Sequence, residues 1–207
     1  YSEGIYIGYR WYETADAEGY WNNISNEYGN GYDGVVQYPF GYGMSYTTFA
    51  QKITSAEEKD GVVNFEVEVT NTGDTYAGKD VIQLYCETPY TPGGTEKSKV
   101  VLCAFEKTAL LQPGETGTYS LSVALEDVAS YDETAANGNG AYVLDAGDYA
   151  FYLSENAHSW SVIDTQDAEK YFVYALDSQI VYDENCKRSS DKVVASNQFP
   201  DAENDIP

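Results

Sequence analysis

The chain has 207 residues, with 34 acidic side chains against 11 basic ones and a formal net charge of −23. That balance excludes a protein that neutralises nucleic-acid phosphates, and it is repelled by an anionic membrane surface. The length suits one large domain, or one domain carrying a piece of another.

Residues 1–47 are rich in Tyr, Gly and Asn, and residues 1–4 read as an internal segment. Two apolar-aromatic islands, residues 5–12 and 35–46, flank a polar, glycine-bearing stretch, residues 15–34, with neither a helical nor a strand period. It is predicted to be an inserted surface loop, of a length that is usually functional or disordered. Its Tyr20, Trp21 and Tyr28 are the candidates for stacking on a sugar, because an aromatic ring and a sugar face both present broad apolar surface. Asn23-Ile24-Ser25 fits a glycosylation acceptor. In the first island, Arg10 lies among Tyr9, Trp11 and Tyr12, placed to stack on rings, to grip a carboxylate as a fork, or to serve as a structural ion pair between domains. In the second, Gly41 and Gly43 alternate with Phe40 and Tyr42. The glycines permit a positive φ or a close backbone approach, and the rings between them can pack on a neighbouring layer.

From Thr48 the pattern changes. Val63, Phe65, Val67 and Val69 alternate with polar residues, the period of a strand with one buried face. Residues 80–86 are apolar on both sides, as in a strand covered on both faces. Short strands follow at 100–105, 118–123, 142–144 and 149–153, with a helical turn at 125–129 and a polar loop at 135–140. Residues 171–182 hold two apolar patches that could pair as edge strands. Beyond Asp183 the chain is polar and reads as a linker. Regularly spaced strands with Gly, Pro and Asn punctuation define an all-β immunoglobulin/fibronectin type III-like β-sandwich.

The chemistry-bearing residues are sparse. Cys86, Cys103 and Cys186 are odd in number and lack metal or disulfide spacing; the first two lie in apolar runs as small hydrophobes. The single histidine, His158, sits in a polar turn and is expected on the surface. No run approaches the roughly 18–20 apolar residues of a membrane span. No calcium-loop pattern and no phosphate-binding glycine loop is present, so neither metal nor cofactor is expected.

Three stretches together resemble glycoside hydrolase family 3, the family of many β-glucosidases. Residues 1–12 look like the end of its α/β sandwich domain. Residues 38–47, with the Phe40-Gly41-Tyr42-Gly43 core, look like the join into its fibronectin type III-like domain. Residues 67–73 and 78–85, followed by 105–107 and 111–115, are similar to that domain's opening strands, and Tyr131-Asp132 to a structural strand of it. The resemblance implies an α/β sandwich remnant with its connector over 1–47, a fibronectin type III-like β-sandwich over 48–175, and an extension over 176–207. The inserted loop looks most like members with the barrel placed last.

Hydrolysis with retention takes two carboxylates about 5–5.5 Å apart. The family's nucleophile is an Asp of the (β/α)8 barrel and its acid/base a Glu well upstream in the α/β sandwich, so no catalytic residue is assigned to this chain. Arg10, Trp11, Phe40, Gly41, Tyr42 and Gly43 are instead expected to be structural, between domains. The implied function is a non-catalytic module of a retaining β-glucosidase-type hydrolase that cleaves terminal β-glycosidic bonds of a β-glucoside or oligosaccharide, with the α/β sandwich and the barrel as partners. A stand-alone carbohydrate-binding or cell-surface β-sandwich module is the alternative.

Overall fold

In chain order the elements are helix α1 (Tyr9–Ala17), the short hairpin β1 (Ser25–Asn26) and β2 (Gly29–Asn30), then β3 (Phe49–Lys59), β4 (Val62–Asn71), β5 (Val81–Glu87), β6 (Val101–Lys107), β7 (Thr116–Ala124), β8 (Ser130–Asp132), β9 (Ala141–Leu144), β10 (Gly147–Leu153), β11 (Tyr171–Leu176) and β12 (Ile180–Tyr182). They come from a computed structural model that describes residues 4–195.

The period-two run becomes β4, the middle strand of an antiparallel sheet ordered β3-β4-β7. Val63, Val67 and Val69 are fully buried and Phe65 nearly so, while Asn64 between them is exposed. Side chains alternate across a strand, so one face enters the core and the other meets water. The β3–β4 hairpin turns at Asp60-Gly61, both with positive φ (53° and 80°), so that Lys59 pairs with Val62. Asp-Gly suits this two-residue turn because its twist matches that of the strands.

The second sheet is ordered β11-β10-β5-β6, again antiparallel throughout. The two sheets close over Ile53, Val63, Phe65 and Val67 from one side and Ile82, Leu84, Cys86 and Phe151 from the other. Phe65 and Phe151 meet across the core at 5.6 Å between ring centroids. Burial pushes the Cys103 thiol up to about 12 and raises that of Cys86 as well, as fits small hydrophobes rather than reactive thiols. A three-stranded sheet, β12-β9-β8, contributes Leu144 and Tyr182 to the same core.

Two expectations are corrected and a third is resolved. Residues 15–34 are not a structureless loop: α1 runs into them, and β1–β2 and a 3-10 turn at Gly31–Gly34 complete them. Asn26 organises the hairpin; its Oδ1 accepts from the backbone N–H groups of Tyr28 and Gly29, and its Nδ2 donates to the Gly34 carbonyl. The two patches in 171–182 do form edge strands, each at the edge of a different sheet: β11 joins β10, and β12 joins β9. The chain beyond Asp183 does not leave the domain at once. Arg188 lies 3.5 Å over the Tyr142 ring and forks onto Asp191, while the Ser189 N–H donates to Glu126. The polar end at 196–207 lies outside the described residues.

Candidate functional site

The outer face of the second sheet is covered too. Tyr85 of β5 and Tyr152 of β10 point away from the main core and form a second cluster with Val100 and Ala157, against which Tyr9, Leu102 and Trp160 pack. The N-terminal arm, residues 4–47, supplies part of the cover. That is why β5 reads as apolar on both sides.

Helix α1 attaches through polar groups on its inner face. Tyr9 and Glu13 are one turn apart and so share a face. The Tyr9 hydroxyl accepts from the Leu102 backbone N–H at 2.9 Å. Thr14 Oγ1 donates to the Arg10 carbonyl and accepts from the Lys99 backbone N–H at 2.9 Å. Between them Glu13 is wholly shielded from solvent. Its Oε1 accepts from the Tyr32 hydroxyl at 2.5 Å, and its Oε2 is approached by His158 Nδ1 at 2.8 Å and Trp160 Nε1 at 2.9 Å. The indole N–H can only donate, and a carboxylate oxygen calls for Nδ1–H on the imidazole as well. The His158 ring lies flat on the Tyr32 ring, 3.6 Å between centroids and 9° between planes. Lys99 Nζ sits 4.8 Å from the Trp160 ring centre and pairs with Glu87. A buried acid is tolerated when donors saturate it, and here they come from the arm and the sandwich together. Burial and the hydrogen bond to Glu13 raise the Tyr32 hydroxyl far above its ordinary value of 10.0.

The connector docks through its backbone. Gln83 on β5 donates from Nε2 to the carbonyls of Gly41 (3.1 Å) and Glu155 (2.9 Å), and its Oε1 accepts from the Tyr85 hydroxyl at 2.8 Å. The Phe40 carbonyl accepts from the Ala157 N–H, and the Phe40 ring stacks on Tyr9 at 4.4 Å. Gly41 has φ 88°, and a Cβ there would fall 2.1 Å from Gln83 Oε1. Gly43 has neither constraint: its φ is ordinary and nothing lies within 4 Å. Tyr42 is half exposed and packs on Tyr38.

Arg10 makes no ion pair and covers no ring among the described residues; Thr14 holds its backbone rather than its guanidinium. Trp11 sits amid Tyr6, Tyr20 and Trp21 in edge-on contacts of 5.9–6.5 Å, and Trp21 donates from Nε1 to the Tyr12 carbonyl. Tyr20 and Trp21 therefore pack on the arm's own helix. Tyr28 stands apart, 76% exposed. His158, expected as a surface residue of a turn, is instead a contact of the buried acid. Neither it nor Glu13 carries a sequence signal for this pairing: they are 145 positions apart.

Chemically the cluster is a lock. Both Glu13 oxygens are engaged and shielded, so it has no lone pair facing a substrate. Among the described residues no group of three or more His, Cys, Asp or Glu side chains could hold a metal ion.

The sandwich and the arm bound to it define an accessory module, and residues 80–157 match the fibronectin type III-like domain family. The chain is 36% identical over 185 residues to a β-glucosidase of Ruminococcus albus, covering 89% of this chain and 17% of that protein. It is 33% identical to β-glucosidase A of Butyrivibrio fibrisolvens, covering 89% of this chain and 21% of that protein. A β-glucosidase structure from Paenibacillus barengoltzii superposes with a TM-score of 0.67 at 37% identity, over 87% of this chain and 18% of that one. The chain belongs to glycoside hydrolase family 3, as its β-glucosidase-like fibronectin type III-like region, and spans about a fifth of the length of these relatives.

Proposed function

We propose that this chain is the non-catalytic structural module of a retaining, β-glucosidase-type hydrolase, and that its task is to fix the arm against the sandwich. The observation that carries this reading is Glu13, a fully buried carboxylate on the arm bound by donors from the sandwich. The relatives named above support hydrolysis of terminal β-glycosidic bonds as the activity of the full-length polypeptide. On this reading the remaining domains are its partners: an α/β sandwich, for which residues 1–47 provide the closing piece, and a (β/α)8 barrel with the nucleophile. The arm presents them with an apolar surface that includes Ile7 (52% exposed), Tyr38 (63%) and Met44 (89%). Solvent-facing apolar area of this kind marks an interaction surface. The test is turnover of an aryl β-glucoside: none by the purified 207-residue chain, activity from the full-length polypeptide. Clear turnover by the chain alone would overturn the assignment.

A further inference from the structure

An open cleft of about 770 Å³ lies between Ile5 and Arg10, the 93–98 loop, and β8 with the turn after it. Its volume is in the range of small-molecule sites. The walls are tied in place. Thr95 Oγ1 donates to Asp132 Oδ2 across the cleft, joining the loop to the β8 turn. Lys97 anchors the same loop by bonds to the Pro89 carbonyl and Asp145. Tyr131 is braced edge-on against Tyr142, at 5.5 Å and 74°, and Tyr142 is in turn covered by Arg188. Tyr131 nevertheless stays 39% exposed.

The lining selects the chemistry of an occupant. Glu96, Asp127, Asp132 and Glu133 face two cations, Arg10 and Lys97, and Asp145 already neutralises Lys97. An anion would meet net negative charge. No three acids gather as a cation site among the described residues. Donors and acceptors stand side by side in the lining, which suits a neutral ligand whose polar groups both donate and accept. The Arg10 guanidinium, unpaired among the described residues, supplies donors, the carboxylates supply acceptors, and the hydroxyls of Thr88, Ser98 and Ser130 supply both. The exposed Tyr131 ring adds a face for apolar C–H groups. We propose that this cleft binds a neutral oligosaccharide. The class follows from the lining; the choice of a glucose-based probe rests on the β-glucosidase reading above.

The probe is cellotetraose, titrated into the isotope-labelled 207-residue chain and followed by amide chemical shifts. Saturable shifts at Ser98, Ser130 and Tyr131 are expected. Tyr131→Ala should weaken binding by about tenfold or more, a loss of about 1.4 kcal/mol. Trp21→Ala should leave it unchanged. Arg10→Gln, which removes the charge without opening the fold, should also weaken it and serves if Tyr131→Ala unfolds the chain. No saturable shift, shifts centred on Trp11, Tyr20 and Trp21, or tighter binding of glucuronate than of glucose would each overturn the proposal. A cleft that binds nothing leaves the hydrolase reading intact, since that reading is tested by turnover of the full-length polypeptide; absent turnover likewise leaves the shift result intact.

Discussion

His158 Nδ1 lies 2.8 Å from Glu13 Oε2, and the two residues are 145 positions apart in the chain. The contact joins helix α1 to the turn after β10, and nothing covalent holds those segments together. The buried carboxylate and the donors around it thus hold the helix end of the arm, while Gln83 and Ala157 hold the connector.

Glu13→Gln tests that dependence. The amide has one acceptor oxygen where the carboxylate has two, and its NH₂ group points a donor at donors. The expected cost is about 3 kcal/mol, the scale of leaving buried charged-type partners unpaired. Urea unfolding should show a lower midpoint, with the Trp160 emission shifted in the native state. A midpoint equal to the wild type would mean that the cluster holds nothing.

Two buried tyrosines should respond in opposite ways to loss of the hydroxyl. Tyr32→Phe strands Glu13 Oε1 and should destabilise by about 1–3 kcal/mol. The Tyr152 hydroxyl is buried with no partner among the described residues. Tyr152→Phe removes an unpaired polar atom and should be neutral or stabilising, by about 1 kcal/mol at most. Thermal melts of the two variants, side by side, decide it.

Gly41→Ala should be severe and Gly43→Ala mild. At Gly41 a Cβ meets Gln83 Oε1 at 2.1 Å and Tyr85 OH at 2.8 Å, on a backbone with φ 88°. The strain and the broken Gln83 bonds together come to about 2–4 kcal/mol. At Gly43 the space is open, and the change should fall within about 0.5 kcal/mol. Equal effects in a denaturant series would contradict this docking of the connector.

Alkaline pH should unfold the protein through its tyrosines. Burial raises the hydroxyls of Tyr32, Tyr85, Tyr149 and Tyr152 well above 10.0, and that of Tyr182 to about 12. The folded state thus keeps protons that the unfolded state loses. Below about pH 10 both states are protonated and the stability is whole; above it the unfolded chain ionises first and stability falls. Each such group contributes a slope of about 1.4 kcal/mol per pH unit. Absorbance near 295 nm should rise in two stages, exposed tyrosines first and buried ones with unfolding. A single titration centred at pH 10 with retained structure would refute it.

The strands were legible where burial is one-sided or complete: the alternation at Val63–Val69 and the continuous run of β5 both follow from side-chain period. Asp60-Gly61 carried a hairpin signal that periodicity alone did not capture. Helix α1 was hidden because the residue at the centre of its inner face is Glu13, so no apolar stripe marks it. The edge strands in residues 171–182 were legible as two apolar patches, but only tertiary packing decides which sheet each joins. His158 was unreadable for a simpler reason. A polar turn looks solvent-exposed until a distant carboxylate arrives to meet it.

The two-sided burial of β5 and β10 has a consequence for modularity. Cutting the chain at Thr48, where the sandwich strands begin, would strip Tyr9 from the cluster of Tyr85, Val100 and Tyr152 and leave Gln83 without the Gly41 carbonyl. The sandwich is therefore not a cassette that can be moved by itself. Its heritable and transplantable unit includes the arm, and any rearrangement of domain order that keeps the fold must carry the two together.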